Sequence, residues 1–216
     1  MKDKLIIFDM DNTILQSRID FDWMLREVNA ILAEYGREDC FARTVAETIT
    51  RYSQCPAYDA AVGKRLWDKV CEVEAVGMDK AINEPDAAEA LDYLSQFAEL
   101  ALLTNNTDAA IGDNLDRLGL SRNLHYVAGR NSVPLLKPSP LGMLHVKEQF
   151  PDIPLSRTMA IGDAIIDAEA AEAAGIMFVA YNRSRMENWL KYNIYPLLEL
   201  HQWNKDSCDS ILRLFD

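Results

Sequence analysis

Two aspartates set two residues apart, Asp9 and Asp11, stand directly after the apolar run Leu5 to Phe8, in the stretch Asp9-Met10-Asp11-Asn12-Thr13. An unperturbed aspartate ionises near pH ~3.9, so at neutrality Asp9 is an anion able to attack phosphorus and to bind a divalent cation. Asp11 can protonate a leaving oxygen and afterwards activate water. An acidic strand-to-helix turn whose side chains only cap a helix fits this motif equally well, and its spacing alone does not decide.

Three further clusters stand at comparable places. Thr104-Asn105-Asn106-Thr107 follows the apolar run Leu100 to Leu103. A hydroxyl and backbone N–H groups at a strand end before a helix form an anion site suited to phosphoryl oxygens, with Thr104 and Asn105 as candidates and Thr107 as the helix N-cap. Lys137 lies between Leu135-Leu136 and Pro138. A loop lysine taken singly is ordinarily solvated, but a fixed ammonium here would neutralise a transferring phosphoryl group and clustered carboxylates. Gly162-Asp163-Ala164-Ile165-Ile166-Asp167 follows the run Thr158 to Ile161. Magnesium prefers hard oxygen donors in an octahedral shell and keeps several waters, so two acidic strand ends meeting at one point make a site for it. Asp163 and Asp167 also read as an N-cap and a first-turn acid. One such coincidence is cheap; four in order are not.

The elements that must position these residues alternate. Leu5 to Phe8, Leu100 to Leu103, Tyr126 to Ala128, Thr158 to Ile161 and Ile176 to Ala180 read as strands. Between them come helices: one opened by Pro85 at its first position, with Ala87, Leu91, Leu94 and Phe97 on one apolar face, then Thr107 to Leu118 closed by Gly119, Ser139-Pro140 to about Gln149, and about Asp167 to Gly175. Alternation of this kind predicts an α/β fold with a parallel sheet covered on both faces, and such sheets bind ligands beyond the carboxyl ends of their strands. From about Ser17 to Ile82 the texture changes. Met24, Val28, Ile31 and Leu32, then Leu66, Val70 and Val73, recur at helical spacing and predict a separate module of three to four helices. After Arg185 the signals weaken; Trp189, Tyr192, Ile194, Leu197 and Leu198 suggest a helical or mixed segment covering the sheet.

Composition bounds the reading. The 216 residues, 49% apolar and 26% charged, suffice for a full hydrophobic core. Twenty-two Lys plus Arg against thirty-four Asp plus Glu leave a formal charge of −12, which disfavours general binding to nucleic acid or anionic membranes and means a phosphate substrate needs a local cation. No apolar run approaches a signal-peptide core or a membrane span, which points to a cytoplasmic location. Cys40, Cys55, Cys71 and Cys208 lack CxxC spacing and read as reduced packing residues; His125, His145 and His201 lack paired-ligand spacing.

The ordered set DMDNT, LLTNN, LLKPSP and IGDAIID closely resembles the haloacid dehalogenase-like superfamily of aspartate-nucleophile phosphatases, over residues from about 5 to 180. The resemblance implies a Rossmann-like parallel-sheet core at 1–16 and 83–216 and an inserted α-helical cap domain at 17–82, similar to phosphoglycolate-phosphatase-like members. It implies Asp9 as nucleophile and metal ligand, and Asp11 as general acid/base with its carbonyl also on the metal. Thr104 and Asn105 would bind phosphate, Lys137 would neutralise charge, Asp163 would complete the metal's protein ligands, and Asp167 and Thr13 would support from behind. Asn12 stands where many relatives carry Gly; asparagine tolerates the left-handed backbone, so the turn should survive.

The implied activity is Mg²⁺-dependent hydrolysis of a small-metabolite phosphate monoester through an aspartyl-phosphate. Phosphoglycolate, sugar phosphates and nucleotides all remain open. A phosphomutase or phosphotransferase on the same core is the main alternative, and a non-catalytic metal- or phosphate-binding scaffold a weaker one. A dehalogenase needs neither Asp11 nor Asp163. Arg43, Arg51, Lys64 and Arg65 could meet an anionic substrate, although on amphipathic helices such charges usually form a solvated face. Hinges are expected near Leu15 to Ser17 and Ile82 to Pro85.

Overall fold

The computed structural model describes residues 2–182 and 189–216; residues 183–188, including the Arg185 boundary set above, lie outside the described residues. The chain forms two compact units, Met1–Ser17 with Ile82–Asp216, and Arg18–Ala81.

In chain order the first unit begins with β1 (Leu5–Phe8) and β2 (Leu15–Gln16). The second unit then supplies α1 (Phe21–Glu34), α2 (Val45–Ser53) and α3 (Ala60–Met78). Each of these helices starts on a side-chain cap, with Asp20, Thr44 and Asp59 accepting from the first-turn amides, and Thr44 pairs with Glu47 in a capping box. Met24, Val28, Ile31 and Leu32 of α1 and Leu66, Val70 and Val73 of α3 are buried, as their spacing predicts. Gly77 near the end of α3 lets the chain entering α1 pass close by: a Cβ there would lie 2.5 Å from the Ile19 backbone nitrogen.

The first unit resumes with β3 (Ile82–Asn83), α4 (Ala87–Leu94), β4 (Glu99–Leu103), α5 (Asp108–Arg117), β5 (Tyr126–Ala128), α6 (Leu141–Glu148), β6 (Thr158–Gly162), α7 (Ile165–Ala174), β7 (Met177–Tyr181), β8 (Glu199–Leu200) and α8 (Lys205–Arg213). Six strands form one parallel sheet in the order β5-β4-β1-β6-β7-β8, an α/β architecture. β1 is buried at all four positions, as a central strand between two covered faces must be. Leu5 and Ile7 face a core shared with Leu103, Met143, Val146, Ala168 and Ala171. On the opposite face Phe8 meets Trp203 at 6.0 Å between rings. The short strands β2 and β3 pair antiparallel, Leu15 with Asn83 and Gln16 with Ile82.

Three sequence expectations are corrected. Pro85 does not open α4: Glu84 to Ala87 is a turn closed by Ala87 N–H to the Glu84 carbonyl at 3.1 Å, with Asp86 at φ +61°, so Pro85 takes the second turn position for which its fixed φ suits it equally. Phe97 follows α4 rather than lying on its face, and it is exposed. The segment after residue 188 extends the sheet as well as covering it. Trp189 and Ile194 enter the core, and residues 197–200 run beside β7, with Leu197 N–H donating to the Phe178 carbonyl at 2.9 Å. Asn12 adopts φ +58°, the conformation asparagine tolerates. Among the described residues no helix is long and apolar enough to cross a membrane.

Candidate active site

Sheet order creates the site. Because β1 lies between β4 and β6, residues just past their carboxyl ends stand side by side at the ~4.8 Å strand spacing: Thr104, Asp9 and Asp163. Asp9 continues the β1 ladder by one bond, its N–H donating to the Ile161 carbonyl at 2.8 Å, and Thr104 N–H does the same toward Ala128 at 3.1 Å. The first loop then folds on itself, the Met10 carbonyl accepting from Ile14 and Leu15 at 3.1 and 3.2 Å.

Lys137, from the loop between β5 and α6, reaches the centre. Its side chain is 2% exposed, and its ammonium donates to Asp9 Oδ1 at 2.6 Å, Asp167 Oδ1 at 2.5 Å and the Leu103 carbonyl at 3.1 Å. Burial opposes that charge, but Asp167 and Asp9 together outweigh it and raise the lysine above its ordinary pKa. Asp9 is pushed up to about 7, first by burial and then by repulsion from Asp167 and Asp11, which Lys137 only partly offsets. Two carboxylates, Asp9 and Asp167, share one ammonium, with Asp163 beside them and Asp11 close enough to repel Asp9, so the site carries negative charge in excess.

Oxygens of Asp9, Asp163 and Asp167 lie within 4.8 Å of one another, and Asp163 and Asp167 are buried. Hard oxygen donors with surplus negative charge fit a small divalent cation. Within the trio, Asp167 is already committed, Oδ1 to Lys137 and Oδ2 to Ala164 N–H at 3.0 Å. Asp9 Oδ2 has one long contact, from the Thr13 hydroxyl at 3.4 Å. Asp9 and Asp163 stand together where a cation could be held, with Asp167 fixing the lysine beside them. Gly162 is required by this packing: a Cβ there would lie 2.5 Å from Asp167 Cγ.

The structure brings together Asp9, Lys137, Asp163 and Asp167, with Thr13 on the loop that follows Asp9. Thr104 is buried, and its hydroxyl accepts from Asn106 N–H at 3.2 Å. Asn105 uses its side chain on the lysine's backbone, with Nδ2 donating to the Lys137 carbonyl and Oδ1 accepting from Lys137 N–H, both at 2.9 Å. Its amide thereby clamps the loop that carries the ammonium. Sequence reasoning missed Asn106, whose buried amide donates to Asp11 Oδ2 at 2.7 Å; its place in the polar cluster was the available signal. It also missed Trp203, which donates to the Thr13 carbonyl at 2.8 Å and stacks on Tyr181 at 4.9 Å. No local signal marks a residue so distant in the chain. The four cations of the helical unit singled out in the sequence are engaged within it: Arg43 with Glu47, Arg51 with the Phe41 carbonyl, Lys64 with Asp68 and Arg65 with Glu34.

An aspartate-bearing strand end flanked by a threonine turn, a buried lysine and a second acidic strand end defines a class of α/β hydrolase. The chain matches the haloacid dehalogenase-like hydrolase family over residues 4–175 and belongs to that family. A phosphoglycolate phosphatase of Pseudomonas syringae pv. tomato is 29% identical over 199 residues, covering 84% of this chain and 72% of that one. Among solved structures, a haloacid dehalogenase-like family protein of Streptococcus pneumoniae aligns over 99% of this chain and 98% of its own, with a TM-score of 0.65 at 18% identity. A subfamily IA hydrolase of the same superfamily from Geobacter sulfurreducens gives 0.61 at 22% identity, over 99% and 96%. At those identities the structures speak to the fold alone.

Proposed function

We propose that the chain hydrolyses small phosphate monoesters, using Asp9 as nucleophile and Mg²⁺ held by Asp9, the Asp11 carbonyl and Asp163. The observation that carries this reading is the meeting of the Asp9, Asp163 and Asp167 carboxylates beyond the ends of β1 and β6, two of them bonded to the buried Lys137 ammonium. Lys137 holds one Asp9 oxygen and orients the other toward an incoming phosphoryl group. Thr104 and the backbone amides around it bind phosphoryl oxygens. Asp11 protonates the departing alcohol, and after phosphoryl transfer to Asp9 it takes the proton of the water that frees the enzyme. The cation, when bound, offsets the charge that four carboxylates and a phosphate place together. We assign residues 17–82 as a mobile cap whose hinges are β2 and β3.

The curated relative's name makes phosphoglycolate the first ester to assay, beside sugar phosphates, nucleotides and a generic aryl phosphate. Purified protein should release inorganic phosphate in Mg²⁺ and stop in chelator, and Asp9→Asn should lower turnover by at least about a thousandfold, as loss of a nucleophile does. Full activity in Asp9→Asn ends the nucleophile assignment. Transfer of the phosphoryl group to a second sugar hydroxyl, with no phosphate released, replaces hydrolase by mutase.

A further inference from the structure

Within the helical unit, Cys40 closes the short 3₁₀ turn Glu38–Cys40, and Cys55 follows α2, so the two cysteines flank that helix. Their sulfurs and a carboxylate oxygen of Asp39 lie within 4.8 Å of one another. The loop between them is drawn shut without help from the sulfurs. Arg51 donates to the Phe41 carbonyl at 2.8 Å, Ala42 N–H to the Thr48 hydroxyl at 3.1 Å, and Cys55 N–H to the Tyr52 carbonyl at 3.0 Å. The loop-closing entropy that opposes a cross-link is thus already offset by the fold.

The two thiols are unlike. Cys40 is buried, whereas Cys55 is half-buried, and the Arg37 guanidinium donates to the Cys55 sulfur at 3.7 Å. Burial, with the Asp39 charge and the neighbouring Cys55 sulfur adding to it, pushes the Cys40 thiol above its ordinary pKa. Two sulfurs and a carboxylate could also hold a soft cation, but Arg37 opposes that use. Its guanidinium is on the Cys55 sulfur and 3.8 Å from Asp39, so positive charge already occupies two of the three donors. A guanidinium donating to a half-buried sulfur is instead placed to steady the charge that develops when that sulfur attacks an oxidant.

We propose that Cys55 and Cys40 form a peroxide-oxidised dithiol pair, with Cys55 attacking a hydroperoxide and Cys40 resolving the product into an intramolecular disulfide. In the first step the Cys55 sulfur bonds to one peroxide oxygen, the O–O bond breaks, and the leaving hydroxide takes up a proton; sulfur gives two electrons and becomes a sulfenic acid. In the second, the Cys40 sulfur attacks the Cys55 sulfur, the S–O bond breaks, and hydroxide departs as water with the Cys40 proton. Two thiols and one hydrogen peroxide yield one disulfide and two waters. The pair stands independently of the reaction assigned to Asp9.

The test treats the reduced full chain with hydrogen peroxide, alkylates it, and maps peptides without reductant. Expected is one peptide pair joining Cys40 to Cys55, reversed by dithiothreitol, with Cys71 and Cys208 still alkylated. In Cys40→Ser, Cys55 should accumulate a sulfenic acid trapped by dimedone. In Arg37→Met, which removes the donor held 3.7 Å from the Cys55 sulfur, thiol loss at Cys55 should slow several-fold, because the charge on the attacking sulfur loses its partner. Circular dichroism checks that Cys40→Ser folds; Cys55→Ser, at the more accessible position, gives the complementary result of no cross-link and no oxidation at Cys40. The proposal is overturned if wild-type Cys40 and Cys55 stay fully alkylatable at peroxide levels that oxidise the exposed Cys71. Stoichiometric zinc uptake that is lost in Cys55→Ser, with no disulfide formed, also overturns it.

Discussion

Asn106 is the residue on which the proposed acid/base step most depends without touching substrate. Its amide holds Asp11 Oδ2 at 2.7 Å, and its own N–H is fixed on the Thr104 hydroxyl, so Asp11 is oriented from the turn proposed to bind phosphate. Replacing Asn106 with Ala removes the bond that aligns this carboxylate oxygen. General acid catalysis contributes about 10²–10⁴ in rate, and losing its alignment should cost about ten- to a hundredfold. The fall should be larger for an alkyl phosphate, whose leaving group needs the proton, than for p-nitrophenyl phosphate, and comparing kcat/KM for the two esters reads it directly. Equal falls would deny Asn106 this role. The sequence located the residue's cluster but not its partner: Asn105 and Asn106 are the same side chain in adjacent places. Which one clamps Lys137 and which one clamps Asp11 is set by loops that meet only in the folded sheet, 32 and 95 residues apart in the chain.

At the level of elements, the turn from β6 into α7 shows how tightly strand end and helix start are fitted. Asp167 sits in the first turn of α7, capping Ala164 N–H with one oxygen and holding Lys137 with the other, directly over Gly162. Gly162→Ala forces a methyl group against a side chain that cannot retreat without releasing the lysine. It should destabilise the protein by about 1–3 kcal/mol, as overpacking does, and lower Mg²⁺-dependent turnover as well. Urea denaturation beside steady-state kinetics checks both, and an unchanged midpoint would show that the turn relaxes. Elements of this kind were legible where burial is total, as in β1 and β6, because an unbroken apolar run, Leu5 to Phe8 in one and Met159 to Ile161 in the other, leaves few alternatives. Reading failed where one residue serves two structures: Pro85 suits a helix start and a turn alike. It failed again at β8, whose two residues are too few for any periodicity.

For the molecule as a whole, the charge gathered at the site sets how stability responds to pH. Asp9 has a pKa of about 7 in the fold, against ~3.9 when unfolded. Between those values the folded state holds more protons, so the slope of unfolding free energy with pH is negative and stability falls as pH rises toward 7. In chelator, the melting temperature of wild type relative to Asp9→Asn should drop by roughly 5 °C between pH 5 and pH 8. Saturating Mg²⁺ should flatten the difference by replacing the proton, and thermal melts in both conditions test it; a pH-independent difference in chelator would contradict the raised pKa. The same global architecture orders events during synthesis. Residues 18–81 are one continuous stretch with its own packed helices, free to fold once they leave the ribosome. Leu5 must instead wait for both Glu99 and Thr158, its register partners on either side. At about 5–20 residues per second the Asp9 strand has no partner for roughly 5–19 s and lacks its second for roughly 8–30 s after it is made, an apolar ribbon that the nascent chain must keep from sticking to its neighbours.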